Sequence, residues 1–150
     1  MTFEDAVTAT SGLEHAYRPG LRALRGRDRQ RIRCENPTKL AGSVDLDGAL
    51  ADSLPNDPRW DYGIAVRGRG KHDFVNWVEV HPASSSHIDD VLSKLAWLKQ
   101  WLDSSAPSLD KLPRKYLWLA SGRVAIGRGS PQRKRLASQG IRLVGQRLRL

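Results

Sequence analysis

The stretch that most constrains this 150-residue chain runs from Phe74 to Ile126. Phe74–Val80 (FVNWVEV) is rich in β-branched and aromatic residues and is closed by Pro82, the pattern of a strand. Behind it, Ser86-His-Ile-Asp89 forms a capping-box pattern. Ile88, Val91, Leu92, Leu95, Leu98 and Leu102 then recur on one stripe of a helix that stops before Pro107. Lys115–Ile126 (KYLWLASGRVAI) reads as the next strand, bent at Gly122. A long helix between two strands permits a crossover to a parallel neighbour, and a single apolar stripe calls for a sheet to lie on.

The remaining elements fit around that unit. Ser11-Gly-Leu-Glu14, followed by Leu13, Ala16, Tyr17, Leu21 and Leu24 at helical spacing, predicts an early helix interrupted at Pro19-Gly20. Arg29–Cys34 alternates like a strand with arginines on one face, and equally suits a solvated helix end. Gly42–Leu50 sets Val44 and Leu46 against Asp45 and Asp47, as a half-buried strand would. A Pro55–Pro58 turn leads into a strand over Tyr62–Val66, ended by Arg67-Gly-Arg-Gly70. Ser130-Pro131 caps a short helix that stops at Gly140, and Ile141–Leu150 alternates as a last strand. The expected fold is a single domain over residues 1–150, an α/β sandwich with a mixed central sheet and a helix, three-strand meander, helix, strand core.

The net charge of +9 is unevenly spread. Residues 111–150 carry eleven Lys or Arg and no acid, and Arg18–Arg33 hold seven Arg against Asp28 alone. Twelve acids against seven bases lie between Glu35 and Asp110. A basic periphery around an acidic centre suits a protein that grips a polyanion while keeping carboxylates for a metal; a solvated basic surface has the same composition. The one cysteine, Cys34, excludes an internal disulfide and a cysteine zinc cage. No stretch is apolar for long enough to span a bilayer, and the acidic MTFEDAVTAT start lacks the features of a secretory leader. A cytoplasmic protein with no membrane partner is expected.

Among residues that carry chemistry, Asp61 stands at the mouth of one predicted strand and Glu79 in the next. His81 shares a strand face with Glu79 and Trp77, while Val78 and Val80 point the other way. Two carboxylates from neighbouring strands can hold a divalent cation. Asp47 is the better of the further acids, Asp45, Asp47 and Glu14, to add a ligand. Lys99 falls within the apolar stripe, well along the long helix, and Lys94 lies on its flank beside Trp97 and Trp101; neither is expected at the site. His72, His81 and His87 have no tight His-xxx-His spacing, so no zinc site is expected. Ser84–Ser86 lack a nucleophile elbow and read as caps. Gly127-Arg-Gly-Ser130 reads as a turn and N-cap, with Arg123, Arg128, Arg133, Lys134 and Arg135 around it for phosphate contact.

In these residues and in the order of its elements the chain resembles the PD-(D/E)xK nuclease superfamily, of restriction-endonuclease-like fold. There an Asp opens the second core strand and a Glu-x-Lys lies on the third; here Asp61 and Glu79-Val80-His81 stand in those places. The resemblance implies a metal-dependent nuclease, endonuclease or exonuclease. Mg²⁺ or Mn²⁺ would be held by Asp61 and Glu79, with Asp47 added, and His81 would stand in for the catalytic lysine. The implied partner is nucleic acid, DNA ahead of RNA, gripped by Arg67, Arg69, Lys71 and the basic residues from Arg123 to Arg135, in a homodimer or a larger complex if not alone. The missing lysine leaves an alternative: an inactive module that binds nucleic acid, or an interaction subunit with Trp97 and Trp101 as its partner surface.

Overall fold

In the computed structural model, which describes residues 1–150, the expected crossover organises the molecule. The elements in chain order are α1 (Phe3–Thr8), α2 (Gly26–Arg29), β1 (Ile32–Arg33), β2 (Leu40–Asp45), α3 (Leu46–Leu50), β3 (Tyr62–Val66), β4 (Phe74–His81), α4 (Ile88–Ser105), α5 (Pro107–Asp110), β5 (Arg114–Ala120), α6 (Pro131–Ser138), β6 (Ile141–Leu143) and β7 (Leu148–Arg149). Strands β2 to β6 form one sheet in sequence order. The first three pair antiparallel through short connections, and β5 and β6 run parallel to β4 because α4 and α6 carry the chain back. The fold is therefore α/β with a mixed five-stranded sheet.

Alternation along β4 divides the core. Val75 and Trp77 face α4, whose Ile88, Val91, Leu95, Leu98 and Leu102 are buried against them together with Trp118 and α1. Val78 faces the opposite side with Tyr62, Ile64, Leu117 and Leu119. That side is covered by Leu24 and by a small parallel ribbon of β1 and β7, which contributes Ile32 and Leu148. No helix is long and apolar enough to cross a membrane.

Several segments depart from the pattern read in the sequence. Residues 11–24 form turns rather than a helix, because their apolar side chains serve both sides of the sheet: Leu13 joins the α4-side core and Leu24 the other. Between them Arg18 exchanges backbone hydrogen bonds with Ser43, and the Tyr17 hydroxyl donates to the Ala41 carbonyl. The first helix is instead α1, capped by Thr2. The expected Gly42–Leu50 strand ends at Asp45, whose carboxylate accepts from the Gly48 N–H at 2.8 Å and starts α3. Arg29–Cys34 splits into the end of α2 and the two residues of β1. The strand expected to reach Ile126 stops at Ala120, where Ser121 and Ala125 turn to donate to the carbonyls of His81 and Ala83. The expected last strand breaks at Gly145, φ +88°, so that β6 completes the main sheet and β7 crosses to the ribbon. The Ser86–Asp89 capping box does not form: Ser86 Oγ pairs with Ser84 Oγ, and His87 is the N-cap residue.

One glycine is required by close approach. Gly63 pairs with Trp77 across β3 and β4, and a Cβ there would lie 2.6 Å from the indole ring. Trp77 is fully buried and has nowhere to retreat. Gly63→Ala is expected to lower stability by about 1–3 kcal/mol in urea denaturation, as overpacking does; an unchanged midpoint would show that the ring can shift without cost.

Candidate metal centre

The end of the sheet where β3 begins and β4 finishes gathers the acidic side chains. Asp61 immediately precedes β3 and, by the register that pairs Tyr62 with Val78, lies across from Glu79. The Asp61 N–H donates to Glu79 Oε1 at 3.2 Å, and the Val80 N–H donates to Asp61 Oδ2 at 2.9 Å. Each carboxylate is thus held by the other strand's backbone. Glu79 is 0% exposed, on the α4 side of the sheet with Trp77. Its Oε2 accepts from the Lys94 ammonium at 2.6 Å, and His81 Nδ1 lies 3.3 Å from the same oxygen.

Lys94 is the residue that sequence reasoning passed over. It sits on the flank of the α4 stripe, between Val91 and Leu95, which are buried. Its stem crosses the edge of the core, so the ammonium arrives over Glu79. A place on the flank of the stripe, beside Trp97 and Trp101, does not by itself point to the site, but α4 packs across the sheet and brings its second turn over the end of β4. Lys99, by contrast, is exposed and donates to the Gln139 carbonyl.

The electrostatics follow from burial. Asp61 is pushed up to about 8, first by desolvation and then by the Glu79 charge, with Lys94 and the Val80 N–H pulling the other way. Burial works against the Lys94 ammonium, but attraction and hydrogen bonding from Glu79, with a smaller effect of Asp61, outweigh it and raise its pKa. The donors suit a hard cation: all are oxygens, and Asp61 Oδ1 accepts no hydrogen bond from the protein, Oδ2 alone being engaged.

The other predicted residues divide by position. Asp47 lies close by, since the N–H groups of Leu46 and Asp47 both approach the Asp61 carbonyl, but it sits in α3 rather than on a strand. Its carboxylate is held by Arg59 Nε at 3.1 Å and Arg25 Nη2 at 3.3 Å. Asp45 is occupied as the cap of α3, and Glu14 accepts from the Gly12 N–H. Arg67, Arg69 and Lys71 are exposed on the β3–β4 connection, at the opposite end of the sheet from Asp61, about 17 Å away along a five-residue strand. Arg123, Arg128, Arg133, Lys134 and Arg135 follow β5, which runs parallel to β4, so they lie toward the Glu79 end. Of these, Arg135 pairs with Asp89 at 2.8 Å, and Arg133 is half-buried and reaches the Ile126 carbonyl. Trp101 is buried and stacks on the half-buried Trp97, whose indole N–H donates to Asp57 at 2.9 Å.

The histidines also regroup. His81 and His87 approach edge to face at 5.0 Å between ring centroids, and with Asp90 they offer three ligand atoms within 4.8 Å of one another. His72 lies elsewhere, beside the N-terminal amine. A regular spacing rule could not find this group, because its members come from the end of β4 and the first turn of α4.

Compared with protein-family models, with curated proteins and with solved structures, the chain matches none.

Two outcomes are expected. Removing Lys94 leaves Glu79 buried without its partner, so Lys94→Met should cost about 3 kcal/mol in urea denaturation; a variant as stable as the parent would mean that water replaces the ammonium freely. The raised pKa of Asp61 contributes stability that is complete below the unfolded carboxylate pKa and is lost as pH rises through about 8. In EDTA, the advantage of the parent over Asp61→Asn should therefore shrink between about pH 5 and about pH 9, by on the order of 5 °C in Tm. A difference in Tm that stays constant over that range would contradict the raised value.

Proposed function

We propose that this protein is a metal-dependent nuclease of restriction-endonuclease-like fold, acting on DNA ahead of RNA. One observation carries the reading: Asp61, Glu79 and Lys94, from two strands and the crossover helix, converge at one end of a mixed sheet. The resemblance asks for a carboxylate opening one strand, a second on the next strand, and a lysine beside it. Here His81 holds the lysine's place in the chain and Lys94 reaches its place in space. The antiparallel meander followed by a helix and a parallel strand supports the same reading.

Asp61 and Glu79 are the residues that would hold Mg²⁺ or Mn²⁺, and such an ion supplies charge stabilisation at a phosphoryl oxygen and a more acidic bound water. The chain's own groups do the rest. Glu79 accepts from Lys94 and fixes where its positive charge lies. With its pKa raised, Lys94 stays an ammonium at neutral pH, a donor that orients a water or a phosphate oxygen and offsets negative charge developing in the transition state. His81, with Nδ1 3.3 Å from the same carboxylate, helps to hold Glu79 in place. Arg123, Arg128 and Lys134 are exposed beyond the same end of the sheet and suit the flanking phosphates. Asp47, committed to Arg25 and Arg59, supports the position of Asp61 rather than joining the ligands.

The test is incubation of the purified protein with single-stranded and duplex DNA and RNA in Mg²⁺, Mn²⁺ or EDTA. Metal-dependent cleavage by the parent, reduced at least about 100-fold in Asp61→Asn and in Lys94→Met, is the expected result. Salt-sensitive binding without cleavage in any metal would overturn it in favour of a binding module, and full activity in Asp61→Asn would overturn the site.

A further inference from the structure

We infer that His81, His87 and Asp90 form a second metal site, one for a divalent transition ion of the Zn²⁺ or Co²⁺ kind, distinct from the oxygen-rich centre at Asp61 and Glu79. The geometry is the starting point. The three ligand atoms lie within 4.8 Å of one another, and ligands sharing one such ion stand about 3–4 Å apart. Asp90 is the most exposed of the three and turns freely enough to close that gap.

The hydrogen bonding points the same way. His87 Nδ1 is shielded from solvent and has no hydrogen-bond partner in the protein. Its nearest carboxylate oxygen, on Asp90, is 3.9 Å away, beyond hydrogen-bond length. Asp90 makes no other contact of this kind, and His87, the N-cap of α4, forms no side-chain cap bond. An ion between the two would satisfy both groups at once. His81 completes the set: its Nδ1 lies 3.3 Å from Glu79 Oε2, which favours the tautomer protonated on Nδ1 and leaves the Nε2 lone pair for an ion. A carboxylate behind a ligating histidine is the usual way to hold its ring and raise its basicity.

Two imidazoles and one carboxylate select a borderline ion over Mg²⁺ or Ca²⁺, and water would fill the remaining positions. The start of α4 carries partial positive charge that opposes a cation, and Asp89 and Asp90 in its first turn offset it. Such an ion would clip the end of β4 to the start of α4, the connection that sets where Lys94 meets Glu79.

The experiment is a titration of the untagged, metal-stripped protein with Co²⁺, read by its d–d absorption, followed by displacement with Zn²⁺. One Co²⁺ per chain is expected, with bands typical of four- or five-coordination. Affinity should fall at least about tenfold in His87→Ala and in Asp90→Asn and persist in Asp61→Asn. Unchanged binding in both His87→Ala and Asp90→Asn, loss only in Asp61→Asn, or no Co²⁺ binding by the parent would each overturn the site. His87 and Asp90 make no hydrogen bond or ion pair to Asp61 or Lys94, and circular dichroism of the variants checks that they fold. Mg²⁺-dependent cleavage by the same proteins keeps a failure of this site separate from a failure of the nuclease reading.

Discussion

The structure turns on a carboxylate with no exposure to water. Glu79 is enclosed between the sheet and α4, and removing such a charge from water costs several kcal/mol. The chain offsets that cost with three groups from three places: the Asp61 N–H before β3, the Lys94 ammonium on α4 and the His81 ring two residues along β4. An apolar residue of similar size would fill the same space without needing any of them, and buried ion pairs are seldom the cheaper way to stabilise a core. Under the proposed function, that carboxylate is kept for the charge it brings to the site.

Placing α4 is therefore a matter of both packing and charge. Its apolar stripe fixes which face lies on the sheet, through Ile88, Val91, Leu95, Leu98 and Leu102 against Val75, Trp77 and Trp118. The Lys94–Glu79 pair then fixes how far along the sheet the helix sits, since a shift of one turn would carry the ammonium about 5 Å from its partner. The same placement brings His87 and Asp90 to His81. One packing event assembles both groups of polar residues, which explains why they adjoin.

The two ends of the sheet are unlike. Asp61, Glu79, His81 and His87 collect where β3 starts and β4 and β5 finish, and the connection after β5 adds exposed arginines there. The β3–β4 connection carries Arg67, Arg69 and Lys71 to the far end. The basic residues on these two connections thus form separate surfaces, and the one after β5 lies at the carboxylate end.

What the sequence by itself determined is what depends on local period and nearest neighbours. The alternation of Phe74–Val80 settled that Trp77 and Glu79 share a face, and the stripe from Ile88 to Leu102 settled the helix, which permits the parallel pairing that β4 and β5 adopt. Asp61 and Glu79 were legible as a pair because a short antiparallel connection makes them cross-strand neighbours. Tertiary structure alone decided the rest. Residues 11–24 have helical spacing, but their leucines are drawn to opposite sides of the sheet, and burial outweighs propensity. Leu46–Leu50 has the alternation of a strand, but the Asp45 carboxylate accepts from the Gly48 N–H and starts a helix there. Lys94, fifteen residues beyond Glu79, and the His81–His87–Asp90 group are set by the translation of a helix across a sheet. No period in the chain records that distance, because it is fixed by how side chains from distant segments fill one core.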